Sequence, residues 1–338
     1  METFVGIDIA SKNFDVVIRK NGINQKVETF QQTAADIEKL IGKLKPISPT
    51  AVVMEATGIY YVDLARSLYS AGLPVSVINP KSFRHFAELM LKRTKTDAVD
   101  AGLLAEYGQR MEPQTWEAPS QHLVDLRDVA RQINRLTHMK VQSKNRLHAL
   151  RATKTTSAMV IESEQDVMNF LELRIERMRQ HALELIAADE RLNRQLENIT
   201  RAKGIAENSA ICMMGELNVM PLTLKAPQVV HHAGLSVRQT QSGSSVNSPG
   251  RLSKAGNTYL RSALFMPSLA AGIHDPNAKA FKEALVARGK KKIQAQCALM
   301  RKYLMGVWAC IKNDTPFDSA KLFSPEHKKA AGITAGGF

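Results

Sequence analysis

Residues 3–20, TFVGIDIASKNFDVVIRK, decide how the first part of the chain folds. Two β-branched runs, TFVGIDI and FDVVIRK, flank ASKN, which has a turn composition, so the segment reads as a hairpin. QKVETF adds a third strand. Beyond it the pattern alternates. TAADIEKLIGKL is an amphipathic helix with Thr33 as its N-cap. TAVVME is a short buried strand, YYVDLARSLYSAG a helix ending at Gly72, PVSVINP another strand and DAVDAGLLAEYGQR another helix. A hairpin followed by alternating strands and helices predicts a mixed sheet with helices on its faces.

The remainder changes character. Residues 123–154 read as one basic helix, with eight Lys/Arg and one acid, Asp128, between 127 and 154. Leu171, Ile175, Met178, Ala182, Leu185, Asp189, Leu192, Leu196 and Ile199 follow steps of four and three, the spacing of a coiled coil with Asp189 as a polar seam residue. The same seam serves a hairpin within the chain and pairing between chains, and both stay open. From about residue 200 to 320 the pattern is helical, with one Gly/Ser-rich interruption, RQTQSGSSVNSPGRLSKAGN. SPEHKKAAGITAGGF has the composition of a disordered tail.

With 338 residues, 44% of them hydrophobic, the chain is long enough for more than one cored domain. Its net charge of +14 favours a polyanionic partner, most simply nucleic acid. Cys212, Cys297 and Cys310 are scattered and lack zinc-site spacing, which predicts reduced core residues in a cytoplasmic protein. The first ten residues lack the basic start of a signal peptide, and no run of eighteen apolar residues predicts a membrane span.

Four acids stand out. Asp8 lies inside an apolar strand and Glu55 ends another. Asp97 and Asp100 sit three apart on one face of a helix start, where like charges repel. Each has a bland reading: the helix dipole favours acids at its N-terminus, Glu55 could cap the helix near Gly58, and Asp8 could accept from the following turn. Taken together they suggest a cluster of hard oxygen ligands for Mg²⁺, the arrangement of a phosphodiester-transfer clamp.

GIDIASKNFDV, MEATGIY, VSVINP and KRTKTDAVDAGLLAEY resemble the DEDD transposases of the IS-110 insertion-sequence family, which includes the Piv-type DNA invertases. HHAGLSV, QSGSSV and RLSKAGNTYLRSALFMPSL continue the resemblance in order. It implies an RNase H/RuvC-like catalytic domain at 1–115, a basic helix and coiled coil at 116–200, a mainly helical transposase domain with a serine loop at 201–322 and a disordered tail at 323–338. It places the catalytic, Mg²⁺-binding set on Asp8, Glu55, Asp97 and Asp100. It implies site-specific cutting and rejoining of donor and target DNA, with a structured bridge RNA as guide. One departure is AKGIAENSA, where Ala206 stands in place of a second glycine and an ordinary helix–helix turn is the simpler reading.

The resemblance also makes Ser242 the nucleophile, although QSGSSVNSPGR by composition is a linker. No histidine adjoins it, so activation must come from the acid cluster or nearby cations. Arg251 and Lys254 are candidate phosphate binders. The basic helix and RGKKK at 288–292 are candidate nucleic-acid surfaces, each of which could equally be a solvated face. Recombination must hold two DNA partners, which implies a homo-oligomer. A Piv-like invertase without a guide, a structure-specific nuclease and a non-enzymatic nucleic-acid-binding protein are the alternatives.

Overall fold

Strands β1 (Thr3–Ile9) and β2 (Asn13–Lys20) form the expected antiparallel hairpin, with Ile7 opposite Val16. In the computed structural model, residues 2–56, 58–90, 97–242 and 246–323 are described; for 97–98, 240–242 and 246–249 the description covers the backbone alone. The motif residues 91–96, the serine-loop tip 243–245 and the expected tail beyond Phe323 lie outside the described residues. Two units result, Met1–Ala118 and Pro119–Phe338.

In the first unit β3 (Ile23–Asn24) folds back on β2, and β4 (Glu28–Gln31) pairs with the start of β2. The third strand expected over QKVETF, residues 25–30, is the shorter β4, and β3 precedes it. Asn21 and Gly22 both have positive φ, 50° and 79°, the backbone of a tight hairpin turn that Asn-Gly favours. It returns the chain to β2 earlier than the sequence reading allowed.

Helix α1 (Ala34–Leu44) begins where Thr33 Oγ1 accepts from the Asp36 amide at 3.3 Å. β5 (Ala51–Glu55) pairs parallel with β1, then α2 (Tyr61–Ser70) leads to β6 (Val75–Ile78), parallel to β5. The order β3-β2-β1-β5-β6, with β4 also on β2, is antiparallel on one side of β1 and parallel on the other. This is the RNase H/RuvC-like mixed sheet expected for the region.

Two further helices complete the unit. α3 (Pro80–Leu89), absent from the sequence reading, starts at Asn79, whose side chain accepts from the Lys81 amide at 2.8 Å. α4 (Asp97–Met111) follows. Alternation along the strands divides the core. Val5, Ile7, Val52 and Met54 face α1 and α2, while Phe4, Ala51 and Val53 face α3 and α4.

The second unit is helical apart from one ribbon. α5 (Gln121–Ala152) and α6 (Ala158–Ala187) form an antiparallel hairpin, laced by Lys140–Glu172 at 2.9 Å, Arg146–Glu164 at 3.0 Å and Arg151–Gln165 at 2.8 Å. The expected seam does not run unbroken through Asp189. That residue is the N-cap of α7 (Glu190–Thr200), accepting from the Arg191 and Leu192 amides at 2.9 and 3.1 Å. Its carboxylate satisfies helix-start donors rather than facing a partner helix. Leu171, Ala182, Leu192 and Ile199 of the seam are buried within the chain.

α8 (Glu207–Leu217) and α9 (Ala226–His232) follow. β7 (Val237–Ser242) and β8 (Val246–Leu252) then pair antiparallel, so the stretch read as a Gly/Ser loop is a two-stranded ribbon. Arg238 opposes Arg251 but Thr240 opposes Ser248, which leaves Pro249 and Gly250 facing one residue as a bulge that tolerates proline in a strand. α10 (Thr258–His274), α11 (Pro276–Ala287) and α12 (Lys292–Asn313) close the unit around Tyr303 and Trp308, both fully buried. No described helix is long and apolar enough to cross a membrane.

Candidate active site

Ile7 of β1 and Met54 of β5 are register partners, so Asp8 and Glu55, one residue further on each, leave adjacent parallel strands at the same level. Neighbouring strands lie about 4.8 Å apart. Alternation turns both carboxylates toward the face that carries Gly6 and Val53, the face covered by α4. Both are half-buried.

The seating of α4 follows from Gly6. A methyl group there would collide with the Ala101 carbonyl oxygen and the Ala105 amide nitrogen, so the helix backbone rests directly on the strand. Further along α4, Gly108 lies over Val53 and Phe4. The helix thus runs from the end of β1 back toward its beginning. Its first turn, with Asp97 and Asp100, opens at the Asp8 and Glu55 end of the sheet. Arg19 of β2 pins the outer side of α4, donating to Gln109 Oε1 at 2.8 Å and lying 3.9 Å from Glu106. Phe86 of α3 meets Tyr107 edge-on at 5.1 Å between centroids.

Three of the four expected acids therefore come from elements that end or begin together. The Asp97 side chain lies outside the described residues, and among the described residues no three acids, histidines or cysteines converge as a ready metal centre. The donor chemistry, carboxylate oxygens alone, suits a hard divalent cation rather than zinc or copper. α2 has Tyr60 at its N-cap position, and that side chain makes no capping hydrogen bond.

In the second unit Ser242 closes β7, opposite Val246, at the far end of the ribbon from its base; its side chain lies outside the described residues. The base is clamped. The Ser253 amide donates to the Ser236 carbonyl at 2.8 Å, Lys254 to Gly234 at 3.0 Å and Asn257 to His232 at 2.7 Å. The HHAGLSV and SKAGN motifs are thus two sides of one backbone clamp. Gly256, at φ 141°, passes so close to the His232 carbonyl that no side chain fits there. Lys254 takes the left-handed conformation, φ 53°, uncommon for a residue with a side chain.

Glu216, which the sequence reading passed over, holds the clamp from behind. It is 2% exposed and accepts from Arg131 at 2.5 and 2.9 Å and from Asn257 Nδ2 at 2.6 Å. Asn257 also caps α10, accepting from the Leu260 amide at 3.1 Å. The carboxylate partner raises the Arg131 guanidinium further above its ordinary pKa. A lone acid inside the apolar run AICMMGELNVM was the signal available.

A mixed sheet with acids at the ends of its parallel strands, followed in the chain by a basic helical unit, is suited to chemistry on the phosphates of nucleic acid. Residues 5–153 match the family model for the DEDD transposase of IS110 elements, described as "Transposase", and residues 196–283 match that of the "Transposase IS116/IS110/IS902 family". The chain belongs to this IS110 family of DEDD transposases. The pilin gene-inverting proteins of Moraxella bovis and Moraxella lacunata are each 28% identical to it over 322 residues, covering 94% of this chain and 98% of theirs. Among solved structures, Thermus thermophilus RuvC matches with a TM-score of 0.26 and 12% identity. The match covers 33% of this chain, with 96% of RuvC in a Holliday-junction complex and 98% of RuvC in a second structure.

Proposed function

We propose that the chain is the transposase of an insertion sequence, acting in the cytoplasm on donor and target DNA, with Asp8, Glu55, Asp97 and Asp100 as its Mg²⁺ site and Ser242 as its nucleophile. The observation that carries this reading is the common level of Asp8 and Glu55 on adjacent strands, with the first turn of α4 opening over the same face. Bound Mg²⁺ would supply charge neutralisation at the scissile phosphate and its leaving oxygen. The Ser242 hydroxyl attacks phosphorus. A serine–phosphate bond forms, the strand's P–O bond breaks, and the proton lost by the hydroxyl ends on the leaving deoxyribose oxygen. The reverse step, with a new strand end as attacker, rejoins DNA without an external energy source, because the covalent link keeps the bond energy. Arg251 and Lys254 sit on the ribbon and its clamp, where they would neutralise phosphate charge.

The working form is a homo-oligomer. Met159, Val167, Phe170 and Leu173 are exposed along one side of α6, leaving an apolar stripe available for pairing between copies. The basic helix α5 and a structured guide RNA complete the proposal, the RNA choosing the target. The second reading, a guide-independent invertase, is favoured by the extent of the match to the pilin gene-inverting proteins, nearly end to end in both chains. Sequencing nucleic acid that co-purifies with the protein separates the two, since a recurrent structured RNA appears only in the guided case. The chemistry is tested by Ser242→Ala beside Ser244→Ala and Ser245→Ala. A protein–DNA adduct that survives denaturing electrophoresis is expected in all but Ser242→Ala; an adduct in Ser242→Ala refutes the assignment.

A further inference from the structure

The second unit contains a groove of about 950 Å³ between the base of the β7–β8 ribbon, the end of α11 and the start of α12. It joins stretches that are far apart in sequence. Arg251 and Lys254 line it from the ribbon side, Lys290 and Lys291 from the α11–α12 turn, and Arg301 from within α12. Among the described residues none of these five cations has an acidic side chain within ion-pair distance. Five unneutralised positive charges around one concavity call for a polyanion. The floor is of another kind: Leu252, Leu285, Ile293 and Ala298 supply aliphatic surface, and Ile293 is 56% exposed.

Those two chemistries together select the ligand. A duplex presents its phosphates and keeps its bases stacked inside, so it would leave an aliphatic floor uncovered. An unpaired strand offers both, charged phosphates alternating with the flat apolar faces of its bases. The volume lies at the upper end of the range for drug-sized ligands, roughly 300–1,000 Å³, which suits a few nucleotides and not a double helix. Lys254 is held in its left-handed conformation by the Gly234 clamp, which fixes the start of its side chain at the groove edge, and conformations of this kind persist where the surrounding structure enforces them. The groove also borders β7, the strand that ends at Ser242.

We propose that this groove binds a short unpaired DNA segment a few nucleotides from the phosphate that is cut. The choice of that segment rests on the recombinase reading above; the preference for an unpaired strand rests on the groove alone. Base faces lie on the Leu252, Leu285, Ile293 and Ala298 floor, and successive phosphates lie on the rim cations. Cutting and exchanging strands requires separated DNA, and a site that keeps one strand unpaired holds the new end where rejoining needs it.

The test uses the full-length chain in chelator, so that binding is read without cleavage. Fluorescence anisotropy follows labelled oligo(dT), oligo(rU) of equal length and a duplex of equal length, across a salt series. Lys290→Gln with Lys291→Gln is expected to weaken oligo(dT) on the order of tenfold and to reduce the salt slope by about 1.4, the loss of two single-strand phosphate contacts. Ile293→Asn, which adds no charge, should weaken oligo(dT) about fivefold while leaving the duplex within about twofold, since only the unpaired strand uses the floor. Both substitutions are at exposed positions, and circular dichroism verifies the fold. Unchanged oligo(dT) affinity in these variants overturns the proposal. So does an equal loss on the duplex with Ile293→Asn, or tighter binding of oligo(rU) than of oligo(dT). A chain that forms the serine adduct yet shows unchanged oligo(dT) affinity loses the groove and keeps the recombinase. A chain that forms no adduct but discriminates between strand and duplex in this way keeps the groove.

Discussion

Replacing Gly6 by alanine tests whether α4 is seated as its contacts require. The added carbon would lie 2.9 Å from the Leu104 Cβ and closer still to the Ala101 carbonyl oxygen and the Ala105 amide nitrogen. The last two are backbone atoms and cannot rotate away. Restoring an ordinary separation of about 3.5 Å pushes the helix off the sheet by about 1–1.5 Å. Overpacking a closed core costs about 1–3 kcal/mol, and a backbone collision belongs at the upper end of that range. For a domain of this size about 3 kcal/mol lowers the melting temperature by roughly 10–15 °C. The same shift carries Asp100 away from Asp8 and Glu55, and misplacing a reacting group by about 1 Å costs on the order of 100-fold in rate. The assay is thermal unfolding with strand cleavage measured well below the new midpoint. Gly42→Ala is the control. It lies in α1 with nothing within 4 Å of the new methyl group, so it should be neutral or stabilise by up to about 1 kcal/mol. If Gly6→Ala melts with the unmutated chain and cuts DNA equally well, the helix does not rest on β1.

Asp100→Asn should abolish strand cleavage while the melting temperature stays level or rises, because it relieves repulsion among neighbouring carboxylates; retained cleavage refutes the assignment. Glu216→Ala should destabilise the second unit by about 3 kcal/mol in a denaturant titration, since it strands the Arg131 guanidinium, and the double change Arg131→Met with Glu216→Leu should recover much of that loss. Burial pushes the thiols of Cys212 and Cys310 up to about 12. Iodoacetamide at pH 8 should therefore spare both in the folded chain and modify both in denaturant, as read by peptide mass spectrometry; equal labelling in the two conditions rules out their burial in the helical core.

Much of the first unit was legible because its signals are local. The β1–β2 hairpin rests on β-branched alternation, and α1 begins at Thr33 because a hydroxyl there can accept from the Asp36 amide. The misreadings have local causes too. Asn21-Gly22 is a strong hairpin signal that went unused, as was Asn79-Pro80 at the start of α3. Asp189 fits a heptad by count, yet an aspartate followed by a fresh amphipathic run is also a helix start, and the free amides won. The ribbon was hidden because Gly, Pro, Ser and Asn are poor strand formers; pairing and a bulge override that preference. The register that brings Asp8 level with Glu55, and the groove that gathers Arg251 with Lys290, are non-local. No window of sequence contains them.

The division into consecutive units bears on how the protein is made. Every strand and helix of the carboxylate-bearing sheet lies within Met1–Ala118, so that unit can close while the rest is still being synthesised. At about 5–20 residues per second, the 124 residues from there to Ser242, 242 less 118, take roughly six to twenty-five seconds. Throughout that interval a nascent chain carries the acids but no Ser242. With Ser242 as the nucleophile proposed above, cleavage through that serine would be closed to the half-made chain, and on the ribosome the order of the two units would act as a safety interlock.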